Sequence, residues 1–174
     1  MNLKELSKPL PITSIDFRVQ SVNKGGYAII LAYKDARVDM QRLDEVCGAL
    51  NWRREHTRDN HNCIVSIYDK DKQQWVYKED TGTESNTEKD KGLASDSFKR
   101  ACFNWGIGRE LYDYPIIQVK LRDDEFDKAT GKPTFNFKLK DWKWFSQFEG
   151  NELTYLGCKD EKGNVRFQFG TLKK

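Results

Sequence analysis

The sequence predicts an α+β fold: a largely antiparallel sheet in the order β-β-α-β-β-β-α-β, a central amphipathic helix and an aromatic-rich C-terminal β segment. Three observations predict it. Apolar and polar residues alternate with a period of two in residues 15–20 and 116–121, the pattern of half-buried strands. Residues 35–50 and 87–105 switch to a helical period. Short polar or glycine-bearing turns separate neighbouring strand-like runs, which pairs those runs as hairpins.

Taken in order, the chain opens on NLKELSK, a short helical stretch stopped by Pro9 and Pro11. Ile15, Phe17 and Val19 then alternate with Asp16, Arg18 and Gln20. Residues 23–26 form a turn whose glycines supply positive φ. Residues 27–33 contain the unbroken apolar run AIILA, which predicts a well-buried second strand. In the helix that follows, Val38, Leu43, Val46, Cys47 and Leu50 share one side. A strand over 52–56 and a hairpin, 63–68 with 74–78, come next. The hairpin's tip is the charged turn Asp69-Lys70-Asp71-Lys72.

The stretch KEDTGTESNTEKDKGLASDSFKRACFNWGIGRELYDYP organises the rest. Ser85 and Glu88 have capping-box spacing. Gly106 and Gly108 suit the helix end, and Pro115 bars continuation. At about 100° per residue, Ala94, Phe98, Ala101 and Trp105 fall on one face. Lys89, Gly92, Asp96, Lys99, Arg100 and Phe103 fall on the other. This second stripe reads either as a solvated helix face or as a phosphate-binding face, with Lys99 and Arg100 neutralising backbone charge and Phe103 meeting a base or a neighbouring subunit.

Beyond the strand at 116–121, Asp123, Asp124, Glu125 and Asp127 fall in a charged turn. Phe135, Phe137 and Leu139 alternate with Asn136, Lys138 and Lys140, and Trp142, Lys143, Trp144 and Phe145 follow. Aromatics interleaved with lysines suit a single-strand stacking platform; the same pattern also fits an amphipathic strand packed on the core or on a neighbour. Residues 154–156 and 165–169 form a last hairpin around KDEKGN.

Glu79, Asp80 and Gly82 after a strand, then Asp96, Lys99, Arg100 and Ala101 on a helix, then Trp105, Gly106 and Leu111, resemble the single-strand annealing proteins of the Rad52 superfamily, the short phage Sak-like type above all. The resemblance covers residues 1–122, expected as an annealing core, with 123–174 as an extension packed on that core or on a neighbouring subunit. It implies ATP-independent binding of single-stranded DNA and annealing of complementary strands in recombination or break repair. It also implies a homo-oligomeric ring or filament, cytoplasmic localisation in a bacterial host, and a phage exonuclease or a host single-stranded DNA-binding protein as candidate partners.

For single residues, the resemblance makes Arg37, about fifteen residues before Trp52, a nucleic-acid contact beside Lys99 and Arg100; from its own surroundings, Arg37 reads equally as a surface ion-pair residue. Lys70 and Lys72 lie near the hairpin from which the family reaches an outer DNA path, and Trp142 and Trp144 complete the expected DNA-binding set. Two departures stand out. Phe103 occupies a position where eukaryotic members carry a further arginine, and a lysine of the family's helix-proximal loop has no counterpart.

Composition narrows the alternatives. The chain has 174 residues, 33% of them charged, with a formal net charge of +3, so a basic surface must come from local clustering. Cys47, Cys63, Cys102 and Cys158 form no C-x-x-C pair, and His56 and His61 are the only histidines. These are too few ligands at zinc spacing, and scattered single cysteines fit buried thiols in a reducing compartment. The N-terminal residues lack the apolar run of a signal peptide, and no stretch reaches membrane-spanning length. No phosphate-binding loop of the G-x-x-x-x-G-K-[ST] type occurs, so neither ATP nor another cofactor is expected. A metal-dependent nuclease, built on the clustered acids, and a general single-stranded DNA-binding protein without annealing activity remain the alternatives.

Overall fold

A computed structural model describes residues 2–83 and 89–173. Among these residues it forms nine strands and two α-helices: β1 (Asp16–Val22), β2 (Tyr27–Tyr33), α1 (Ala36–Cys47), β3 (Trp52–Thr57), β4 (Asn62–Asp69), β5 (Gln74–Thr81), α2 (Lys89–Asn104), β6 (Ile117–Lys120), β7 (Lys143–Glu149), β8 (Glu152–Lys159) and β9 (Val165–Gly170). The α+β class and the expected element order through β6 are observed. The expected single sheet is instead three antiparallel three-stranded sheets, β1-β2-β6, β3-β4-β5 and β7-β8-β9. The capping box at Ser85 and Glu88 lies outside the described residues.

The chain divides into two compact units. The first comprises Met1–Leu10 and Asp35–Arg109. Here α2 packs across β4 and β5, and α1 packs against α2. Strand alternation turns Cys63, Val65 and Ile67 of β4 toward the helices, where they are buried with Leu43, Leu93, Phe98, Ala101 and Cys102. The buried stripe of α2 is therefore Leu93, Ser97, Phe98, Ala101 and Cys102; Ala94 and Trp105 are half-buried at its margins. Trp105 is anchored by its indole N–H, which donates to the Val65 carbonyl at 3.0 Å.

Helix α1 ends earlier than its apolar pattern predicts. Gly48, at φ +84°, terminates it, and Leu50 is left 93% exposed instead of on the buried side. Arg42 of α1 reaches back to the N-terminal stretch, donating to the carbonyls of Glu5 and Lys8 at 2.9 and 2.8 Å. That stretch is a 3₁₀ turn, Leu3–Ser7, with Leu6 buried.

The second unit comprises Pro11–Lys34 and Glu110–Lys174. Its two sheets share one core: Ala28, Ile30, Ile117, Val119 and Leu121 with Phe126, Phe137, Trp142, Leu153, Leu156 and Cys158. Strand β2 buries Ala28 and Ile30, while Ile29 and Leu31 on its other face are only half-buried. A buried ionic group also joins β9 to the loop after β6. Arg166 donates to Glu125 Oε2 at 2.7 Å and lies 3.6 Å from Asp160, and Arg122 pairs with Asp160 as well.

Phe135, Phe137 and Leu139 do not form a strand. The Thr134 hydroxyl and the Asn136 amide donate to the Asp124 carbonyl, and Phe137 N–H closes a turn onto Thr134. Such local bonds compete with a sheet ladder. A 3₁₀ turn, Leu139–Asp141, follows.

Candidate nucleic-acid interface

Helix α2 is fixed to its surroundings by the acidic and small residues of its own motif. Gly82, just past β5, is buried against the helix backbone: a methyl group there would lie 2.6 Å from Ser97 N and 3.0 Å from the Leu93 carbonyl. The next residue, Thr83, donates through its amide to Asp96 at 2.9 Å. Asp80 accepts from Arg100 Nε at 3.4 Å and from the Asn104 amide at 3.2 Å. The KEDTG stretch and the D-x-x-K-R-A stretch are thus two halves of one joint.

The outward face of α2 carries Lys99, Arg100 and Phe103, each half-buried. Helix α1 packs against α2, and its first turn is capped by Asp35. That carboxylate accepts from the Arg37 amide at 2.8 Å and from Arg37 Nε at 2.9 Å. The Arg37 side-chain bond, its amide and the charges of Arg37 and Lys99 together hold the Asp35 carboxyl below its ordinary pKa, against the opposing effect of burial. Asp35 thus holds Arg37, while Asp80 on β5 holds Arg100. Arg37 is exposed, and Lys99 and Arg100 are half-buried.

Two cations that the periodicity did not single out gather at the C-terminal end of α2. Arg109 donates to the carbonyls of Phe103 and Asn104 at 2.6 and 2.9 Å, and Lys78 donates to the Asn104 carbonyl at 2.6 Å. Both serve the negative end of the helix. The signal for them was present in the sequence, since Lys78 begins KEDTG and Arg109 lies in GIGREL at the helix exit.

The remaining expected residues lie elsewhere. Lys70 and Lys72 occupy the β4–β5 tip, where Asp69 caps the turn and pairs with Lys72 at 3.8 Å. Strand β5 begins at Gln74, so at about 3.3 Å per residue the start of the strand is roughly 13 Å from Lys78, and Lys72 lies in the turn beyond it. Trp142 is only 6% exposed, edge-on to Phe137 and beneath the Arg166 guanidinium at 4.5 Å, so it has no open face for a base. Trp144 is half-buried and stacks on Phe17 at 3.6 Å.

Of the clustered acids, Glu125 is committed to Arg166 and Arg122, and Asp127 caps its own loop through Ala129 and Thr130. Among the described residues no three His, Cys, Asp or Glu side chains converge as metal ligands, and no helix is long and apolar enough to cross a membrane.

The joint sets a helix with paired outward cations above an antiparallel hairpin. The chain belongs to the Rad52/22 family of double-strand break repair proteins, whose pattern matches residues 2–130. It is similar to the single-stranded DNA-binding protein DdrA of Deinococcus radiodurans, 32% identical over 142 residues that make up 80% of this chain and 65% of that protein. The corresponding protein of Deinococcus deserti is 30% identical, over 80% of this chain and 68% of that one. The chain thus spans about two thirds of the length of these relatives. No solved structure matches it.

Proposed function

We propose that the chain binds single-stranded DNA along the outward face of α2 and anneals complementary strands without ATP or metal, in break repair or homologous recombination. The observation that carries this reading is the adjacent cation pair Lys99 and Arg100 on the outward face of α2, with Arg100 held by Asp80; Arg37, held by Asp35 at the start of α1, is the third contact of the reading. The two carboxylates hold the guanidinium groups extended, which lowers the entropy lost when phosphate replaces them. Phosphates bound there release counterions and leave base edges outward, where a second strand can sample register. Correct pairing is then stabilised by the duplex, and no covalent bond changes. Phe103 adds an aromatic contact beside these cations.

The working form is a ring or filament of the phage Sak-like type, whose subunits continue the groove. Residues 1–122 hold the annealing core, and 123–174 complete the hydrophobic core around β1, β2 and β6. Lys70 and Lys72 offer a weaker outer contact at the hairpin tip. An exonuclease that generates single strands, or a host single-stranded DNA-binding protein that coats them, is the natural partner.

The test is annealing of complementary oligonucleotides with chelator present and ATP absent, alongside sizing of the protein with and without DNA. Accelerated annealing by a large assembly supports the proposal. The relatives' description as single-stranded DNA-binding proteins favours a second reading, binding alone; tight binding without acceleration would establish that one.

A further inference from the structure

In the second unit an open groove of about 640 Å³ runs beside β1, floored by Phe17, Val19, Pro133, Phe137 and Leu139. Its volume is in the range of small-molecule sites. Phe135 stands at its rim, 89% exposed, with Lys138 Nζ 5.8 Å from the ring centroid. Arg18, Lys138 and Lys140 line the same groove with a single acid, Asp141. All three cations are exposed.

We infer that this groove is a second single-strand site, at which a nucleobase stacks on Phe135 while Arg18, Lys138 and Lys140 hold the flanking phosphates. The inference rests on the proposed single-strand binding and adds to it a site in the other unit. Charge complementarity selects the occupant. Three cations to one acid around an apolar floor call for a polyanion with flat apolar faces, and single-stranded nucleic acid is that ligand. An acidic peptide would satisfy the cations but has no need of a lone exposed ring. An exposed Phe on a loop gains nothing from its own fold; a stacked base covers it.

The site is built by the local bonds that keep residues 135–139 out of a strand. Thr134 and Asn136 tie the loop to Asp124. Phe137 is turned inward against Trp142, which leaves Phe135 outward. The stacking platform that the aromatic-rich segment promises is therefore Phe135, not Trp142.

The experiment uses the full chain and a short oligothymidine carrying 5-iodouracil. Photo-crosslinked peptides are mapped, and affinity is measured by anisotropy for wild type, Phe135→Ala, Lys138→Ala/Lys140→Ala and Lys99→Ala/Arg100→Ala. All of these side chains are solvent-accessible, so the variants fold. Crosslinks within residues 133–141, with roughly tenfold weaker binding by Phe135→Ala, a typical loss for one base–aromatic stack, support the inference. If Lys99→Ala/Arg100→Ala weakens binding while both groove variants bind like wild type and no crosslink falls in 133–141, the groove is not a strand site and the α2 reading stands. If the groove instead takes up an acidic peptide that oligothymidine does not displace, the inference is overturned. Failure of wild type to bind any single strand overturns both readings.

Discussion

Asp80 Oδ1 lies 3.4 Å from Arg100 Nε, and its other oxygen accepts from Asn104 at 3.2 Å. One carboxylate on an edge strand therefore holds both the Arg100 guanidinium and the last turn of the helix that carries it. The pair is half-exposed, with side-chain accessibilities of 41% for Arg100 and 27% for Asp80, so its strength is that of a screened surface pair. Phosphate can compete with it.

Asp80→Asn separates the two duties. The amide oxygen still accepts a hydrogen bond, but the competing charge is gone. Single-strand affinity is expected to rise about threefold at low salt, with the gain fading as salt screens the difference. Asp80→Ala should instead lower stability by about 1 kcal/mol, because Asn104 and the Thr81 amide lose an acceptor. Anisotropy and urea denaturation on the two variants read these effects. Weaker binding by Asp80→Asn would mean that the carboxylate positions Arg100 more than it competes for it.

Gly82 has a different duty, and its φ is not in the left-handed region. The glycine is needed because β5 runs into the backbone of α2, with a methyl position 2.6 Å from Ser97 N. Backbone cannot swing aside as a side chain can. Gly82→Ala is expected to destabilise by about 1–3 kcal/mol, the range for overpacking, seen as a lower urea midpoint. Unchanged stability would show that the strand exit relaxes freely.

The buried ionic group of the second unit sets an acid limit. Burial alone would raise the Glu125 carboxyl; hydrogen bonds from Arg166 and the Arg122 amide, with both guanidinium charges, reverse this and hold it below its ordinary value. Asp160 is also opposed by burial, and is held far lower by Asn164, Arg122 and the Lys162 amide. A depressed folded pKa means that the unfolded chain binds protons first. The stabilisation is therefore complete above the unfolded carboxylate value of about 4, and is lost as pH falls through the lower folded values. Glu125→Gln should lower stability at pH 7 by on the order of 2 kcal/mol and flatten the loss between pH 5 and pH 3. Urea midpoints across that range measure it, and an acid limb as steep as wild type's would remove Glu125 as its source.

What the sequence discloses here follows from how local each determinant is. The alternation of Phe17 and Val19 with Arg18 and Gln20 depends only on the pleat, and β1 is where it predicts. Cation placement on α2 depends only on the 100° step, so Lys99 and Arg100 are on the outward face. Asp80 meeting Arg100, or Lys78 meeting the Asn104 carbonyl, depends on how β5 crosses α2, which no periodicity contains. Phe135 and Phe137 have strand spacing, but Thr134 and Asn136 find the Asp124 carbonyl first. Leu50 fits the apolar side of α1 in register, but Gly48 has already ended the helix.

The paired cations of α2 give the most direct test of the proposed function. Lys99 and Arg100 face away from Leu93, Phe98 and Ala101, so truncating both should leave the fold intact. Each lost phosphate contact lowers the slope of log affinity against log salt by about 0.7 for single strands, so the double variant should lose roughly 1.4 and bind weakly at low salt. Arg37→Ala should act in the same direction with about half the change in slope, since it removes one phosphate contact instead of two. Lys72→Ala, at the hairpin tip and already paired with Asp69, should change the slope least. Anisotropy across a salt series, annealing rates and particle size are measured for each variant. Binding and annealing by a folded Lys99→Ala/Arg100→Ala protein at the wild-type level would make this helix face an ordinary solvated surface.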